Sequence, residues 1–179
     1  MSKKNQPLDI DHTALLVIDV QQALFERSTP IYKAEQMVSN INSLIAHFRK
    51  NSSPVVFIQH ENNKVVLKGT PGWQIHAGLA REESDPVVQK QHGNAFEKTE
   101  LHELLETHGV NTIVVTGLVS NGCVKASCLG GLELGYRVIL AADGHSSWHK
   151  DTAKIIKTIN QEMEEAGVEV IQAEEIVSA

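Results

Sequence analysis

Thr112-Ile113-Val114-Val115-Thr116-Gly117 is a run of β-branched and apolar residues with no polar alternation, and Leu118-Val119-Ser120-Asn121-Gly122-Cys123 follows it into a helical pattern. A strand reading this way is buried on both faces, as in parallel sheets. The helix expected after it begins near Asn121 and ends before Gly135. Working outward, the same strand-then-helix unit recurs. Upstream, Ala14-Leu15-Leu16-Val17-Ile18 ends in Asp19 and is followed by a helix over residues 33–50, with Val38, Ile41, Leu44, Ile45 and Phe48 on its apolar face. Pro54-Val55-Val56-Phe57-Ile58 ends in Gln59-His60, and an irregular polar segment leads through Gly72-Trp73 to a short strand, Pro86-Val87-Val88, ending near Lys90. A helix over 100–108 stops at Gly109. Downstream, Tyr136-Arg137-Val138-Ile139-Leu140 runs into Ala142-Asp143, and a helix over 151–166 stops at Gly167 before a sixth strand, Val168-Glu169-Val170-Ile171.

Six such units predict an α/β fold: a doubly wound parallel sheet with helices on both faces, a Rossmann-like three-layer sandwich. No repeat or linker divides the chain, so residues 1–179 are read as a single domain. Ligands of open α/β sheets bind beyond the carboxyl ends of the strands. That edge receives Asp19, His60, Lys90, the loop into Cys123, and Asp143.

The 179-residue composition narrows the partners. A net charge of −6, with no basic run longer than Lys3-Lys4, argues against nucleic acid. No apolar stretch is long enough to cross a bilayer, and the first twelve residues carry no apolar core of a secretory signal. The two cysteines, Cys123 and Cys128, lie five residues apart on one expected helix and point to different faces. Two free thiols fit a reducing cytoplasm.

Cys123 is the candidate nucleophile. The amides and partial positive charge of a helix start favour a thiolate, and a lysine from a neighbouring strand favours it further. The same amides can hold an oxyanion. Asp19 is placed to take the thiol proton and later to activate water.

The runs Leu15-Leu16-Val17-Ile18-Asp19-Val20-Gln21, Val87-Val88-Gln89-Lys90 and Gly117-Leu118-Val119-Ser120-Asn121-Gly122-Cys123-Val124 resemble the isochorismatase-like cysteine hydrolases, as does Lys90-Gln91-His92-Gly93-Asn94-Ala95-Phe96. The resemblance spans about residues 12–172 and keeps three motifs in order. It implies the strand order 3-2-1-4-5-6, a triad of Asp19, Lys90 and Cys123, and a cis peptide between Leu118 and Val119. It further implies an oxyanion hole from the Val119 and Cys123 amides, and commonly a homo-oligomer (dimer or tetramer). The implied chemistry is attack on a small amide, with a thioester on Cys123 and no cofactor.

Departures from relatives narrow this further. The metal-binding nicotinamidases of this superfamily carry Asp-x-His where this chain has Ile58-Gln59-His60, and His60 with His76 makes an incomplete ligand set. No metal is therefore expected. Vinyl-ether hydrolysis of isochorismate needs basic groups for two carboxylates, whereas this chain has only Arg27, Arg49, Arg81 and Arg137. C–N hydrolysis is the preferred reading. Vinyl-ether hydrolysis and a non-hydrolytic thiol sensor or binding module are the alternatives. Gln21, Phe25, His60 and Trp73 are candidates to contact substrate. His145 and His149 are expected to face solvent, Trp148 to pack at a subunit contact, and Cys128 to be an inert core thiol.

Overall fold

The structure, a computed structural model, describes residues 7–179; Lys3-Lys4 and the rest of 1–6 lie outside the described residues. The strands are β1 (Thr13–Ile18), β2 (Val55–His60), β3 (Val87–Lys90), β4 (Thr112–Leu118), β5 (Arg137–Ser146) and β6 (Glu169–Ile171). All pair in parallel, in the order β3-β2-β1-β4-β5-β6. The helices are α1 (Gln22–Phe25), α2 (Ala34–Lys50), α3 (Leu101–Thr107), α4 (Lys125–Glu133), α5 (Thr152–Ala166) and α6 (Ala173–Ser178). The expected sheet and strand order are present.

Every residue of β1 and β4 is buried, which is why neither shows polar alternation. Side chains still alternate between faces. Leu15 and Val17 join Ile41, Leu44 and Phe48 of α2 and Ile176 of α6. Leu16 and Ile18 join Leu101 and Leu105 of α3, Cys128 of α4 and Ile159 and Met163 of α5. Each face thus has its own apolar layer, and burial of these side chains is the main favourable term in folding.

The strand order reverses direction between β1 and β4, so a crevice opens where their carboxyl ends diverge. Gly117 sits at this point with φ +111, and a Cβ there would collide with the Ile18 backbone. Only glycine lets the two strands approach so closely and turn away.

Local expectations are corrected at two places along the chain. β5 does not end at Ala142-Asp143 but continues to Ser146, because the pairing slips in register between Val115 and Gly117 and sets His145 beside Gly117. Asp143 therefore lies within the strand, where its carboxylate accepts from Asn40 Nδ2 at 2.8 Å and Ala173 N at 2.8 Å. His145 is not a solvent-facing residue: it is 2% exposed and hydrogen-bonds Ser120 Oγ and the Asn160 side chain. Secondly, α4 starts at Lys125 rather than near Asn121. Residues Ser120–Val124 form a wide π-turn, with Gly122 at non-helical φ −126 and ψ −112.

Candidate active site

Asp19, Lys90 and Cys123 come together where β1, β3 and the turn after β4 meet. Asp19 follows the last residue of β1 with φ +52, its amide donating to Ile58 O at 3.0 Å. Lys90 is the last residue of β3 and is 2% exposed. Its ammonium lies 2.8 Å from Asp19 Oδ2, 3.3 Å from Cys123 Sγ, 3.1 Å from His60 Nδ1 and 3.0 Å from His92 O. Three N–H bonds thus serve four acceptors, and a buried cation is fully compensated. The His92 carbonyl and the Asp19 carboxylate fix the ammonium between acid and thiol.

The electrostatics differ from the expected resting thiolate. Burial, and then the negative charge of Asp19, push the Cys123 thiol up to about 12, against the pull of Lys90. A π-turn kinked at Gly122 replaces the regular helix start on which the thiolate expectation rested. Cys123 is therefore a neutral thiol at rest. Burial also raises the Asp19 carboxyl above its ordinary value, with Lys90 opposing. An acid whose proton affinity is raised is a better proton acceptor, so the pair is suited to moving a proton from sulfur to carboxylate. Asp19 Oδ1 is buried with no hydrogen-bond partner among the described residues, which leaves one carboxylate oxygen for that proton.

The peptide between Leu118 and Val119 is cis. The Val119 amide meets no acceptor among the described residues, while the Val119 carbonyl accepts from Gly122 N at 3.0 Å and Val124 N at 3.3 Å. The turn carrying Cys123 is tied at its base to that carbonyl. Ser120 is tied to β5 and α5 through His145, whose burial lowers its pKa and keeps it neutral.

A cavity of about 210 Å³ opens onto these groups, lined by Asp19, Cys123 and His60, with Val66, Leu118 and Val119 as apolar wall. His60 is half-buried, and burial and Lys90 lower its pKa, so its Nδ1 accepts from the ammonium. Gln21 also lines the cavity, but its side chain is committed: Nε2 donates to His60 O and Trp73 O, and Oε1 accepts from His60 N. It holds β2 and the segment after it in place. Phe25 and Trp73 are not brought to this cavity. The Phe25 ring stacks on His76 at 3.8 Å, and Trp73 presents its carbonyl to Gln21 and Gln59. Sequence reasoning missed Arg27, Asn62 and Trp148, which do line it. Arg27 and Trp148 are 121 positions apart (148 − 27) and meet only through the fold, with the guanidinium 4.2 Å from the ring centroid. Among the described residues no group of three or more His, Cys, Asp or Glu is placed to hold a metal ion.

A family model for the isochorismatase domain matches residues 13–175. Streptothricin hydrolase of Streptomyces noursei is 34% identical over 137 residues, 75% of this chain and 50% of that protein. A second streptothricin hydrolase is covered to 54%, so the chain spans about half the length of the first curated relatives it matches. The uncharacterized isochorismatase family protein YddQ of Bacillus subtilis (strain 168) is 33% identical over 129 residues, 69% of this chain and 72% of that protein. The crystal structure of a cysteine hydrolase from Pseudomonas syringae pv. phaseolicola 1448A superposes with a TM-score of 0.90 at 20% identity, covering 97% of this chain and 94% of that one, a likeness of fold.

Proposed function

The chain belongs to the isochorismatase family of hydrolases, and we propose that it cleaves the C–N bond of a small amide through a thioester on Cys123. The observation that carries this reading is the Lys90 ammonium held 2.8 Å from the Asp19 carboxylate and 3.3 Å from the Cys123 sulfur.

The reaction begins from the neutral thiol. As a carbonyl carbon approaches, the S–H proton passes to Asp19 and sulfur forms the C–S bond. The carbonyl oxygen takes the negative charge and lies against the amides of Val119 and Cys123. Asp19 then returns the proton to nitrogen, the C–N bond breaks, and amine or ammonia leaves. Water gives a proton to Asp19 and attacks the thioester; the C–S bond breaks, and the proton on Asp19 restores the thiol. Lys90 offsets negative charge wherever it sits on Asp19 or sulfur.

Two observations favour amide over vinyl-ether chemistry. Isochorismate needs two cationic contacts for its carboxylates, whereas Arg27 is the one Lys or Arg among the residues that line this cavity, and the buried Lys90 is engaged by Asp19. Sulfur also lies beside acid and ammonium, where a C–S bond can form. Streptothricin hydrolase is by name a hydrolase, and the same class is proposed here with an amide as substrate. A homo-oligomer (dimer or tetramer) in the cytoplasm belongs to this proposal, its size to be read by light scattering.

The deciding experiment is turnover of a panel of small amides, ureas and carbamoyl compounds by the parent protein and by Cys123→Ala. Loss of all turnover in a folded Cys123→Ala protein, with an acyl adduct on the parent Cys123 seen by mass spectrometry, is expected. Undiminished hydrolysis by Cys123→Ala would sink the thioester mechanism.

A further inference from the structure

Arg27 has no role in the mechanism above, yet it lines the cavity that holds Cys123. Its Nε is buried without a hydrogen-bond partner among the described residues. Two other arginines show what such groups do elsewhere in this fold. Arg49 pairs with Glu82 and Asp85, and Arg137 with Glu169. Arg27 pairs with no acidic side chain among the described residues, and the adjacent Glu26 instead accepts from Gln22 at 3.0 Å. The Trp148 ring, its centroid 4.2 Å from the guanidinium carbon, holds the cation by a cation–π contact, and the indole has no acceptor for its N–H bonds. A buried donor left unmade is costly, so this arrangement leaves a donor free for an acceptor on a ligand, and the charge of the guanidinium favours an anionic one.

The charge count of the cavity points the same way. The Asp19–Lys90 pair is neutral as a unit, and the Cys123 thiol is uncharged. Arg27 therefore leaves one uncompensated positive charge in a cavity walled by Leu24, Val66, Leu118 and Val119, in a chain whose overall charge is −6. We propose that Arg27, held against Trp148, receives the carboxylate of a small amide-bearing acid while its amide carbon lies at Cys123. This deepens the hydrolase reading and rests on it. A planar fork of two N–H donors matches a carboxylate in bidentate fashion. The volume of about 210 Å³ is below the roughly 300–1,000 Å³ of drug-sized sites, so the substrate is a short amide acid or carbamoyl amino acid with one negative charge.

Substrate pairs differing only in the carboxylate test this: succinamate against its methyl ester, and N-carbamoylglycine against its methyl ester. The parent protein is expected to prefer the acids, and Arg27→Gln to shrink the acid-to-ester ratio of kcat/KM by about 10- to 100-fold, mostly through KM. Arg27→Lys keeps the charge but loses the fork, so an intermediate ratio is expected, and this variant stands in if Arg27→Gln does not fold. A ratio that Arg27→Gln leaves unchanged, with acid and ester falling together, overturns the proposal and makes Arg27 structural. Binding is measured separately on Cys123→Ala by tryptophan fluorescence with succinamate. Arg27-dependent binding without any turnover by the parent would refute the hydrolase reading and keep the carboxylate site. Binding that is absent, or that persists after Arg27→Gln, overturns the site itself.

Discussion

At the scale of single residues, Asp19 and Cys123 hold each other in an uncharged-sulfur state. The thiol is pushed up to about 12 first by burial and next by the carboxylate's charge, so removing that charge lowers it. Asp19→Asn is accordingly expected to have opposite effects on two readouts. Amide turnover falls by about 10²–10⁴-fold with loss of the proton acceptor. Alkylation of Cys123 by iodoacetamide near neutral pH becomes faster, about tenfold for each unit by which the thiol pKa drops. Slower alkylation in Asp19→Asn would show that the carboxylate does not raise the thiol pKa. In the parent protein the alkylation rate should still be climbing at pH 9, since the thiol titrates well above its ordinary range.

At the scale of elements, His145 joins the carboxyl end of β5 to the π-turn and to α5, through Ser120 Oγ at 2.8 Å and Asn160 Oδ1 at 2.8 Å. Burial lowers its pKa below the unfolded 6.5, so the unfolded chain binds the extra proton and stability rises with pH across that interval. Stability is therefore expected to fall as pH drops below about 6.5, by at most about 1.4 kcal/mol per pH unit from this residue. His145→Gln removes the dependence. It is expected to be about 1–3 kcal/mol less stable than the parent at pH 7.5, with the gap narrowing towards pH 5 in urea melts. A constant gap across that range contradicts a neutral buried His145. Gln21 acts on the same scale, tying β1 to the backbone of His60 and Trp73. Gln21→Leu leaves those groups unsatisfied, and a loss of about 2–4 kcal/mol is expected in the same melts.

At the scale of the whole molecule, the candidate site and the helix-end packing lie at opposite ends of the strands. The carboxyl edge carries the site, while α2 ends near the opposite edge, where Phe48 O accepts from Ser53 N ahead of β2. Phe48 is fully buried between α2 and the sheet. Phe48→Ala should cost about 3–5 kcal/mol in urea unfolding. With the site at the far edge, kcat per folded molecule should change less than about twofold. A large fall in kcat at full folding would mean the layers are coupled more tightly than this architecture implies.

The layer structure and the sheet edge where Asp19, Lys90 and Cys123 converge were legible in the residues, because hydrophobic period and glycine stops are local properties of a chain. The runs ending in Asp19 and Lys90 and the loop into Cys123 need only a parallel sheet to converge, and the parallel sheet follows from strands apolar on both faces. The strand order came with the family resemblance. Beyond that, tertiary structure decided the matter. The resting state of Cys123 depends on burial and on a carboxylate 104 positions away (123 − 19), neither of which spacing reveals. The length of β5 depends on a register slip against β4, and with it the burial of His145. The cation at the cavity is placed there because Arg27 and Trp148, each unremarkable in its own segment, are brought into contact by the fold. Electrostatic environments and side-chain contacts of this kind are set by neighbours distant in sequence, so they emerge only when the chain is folded.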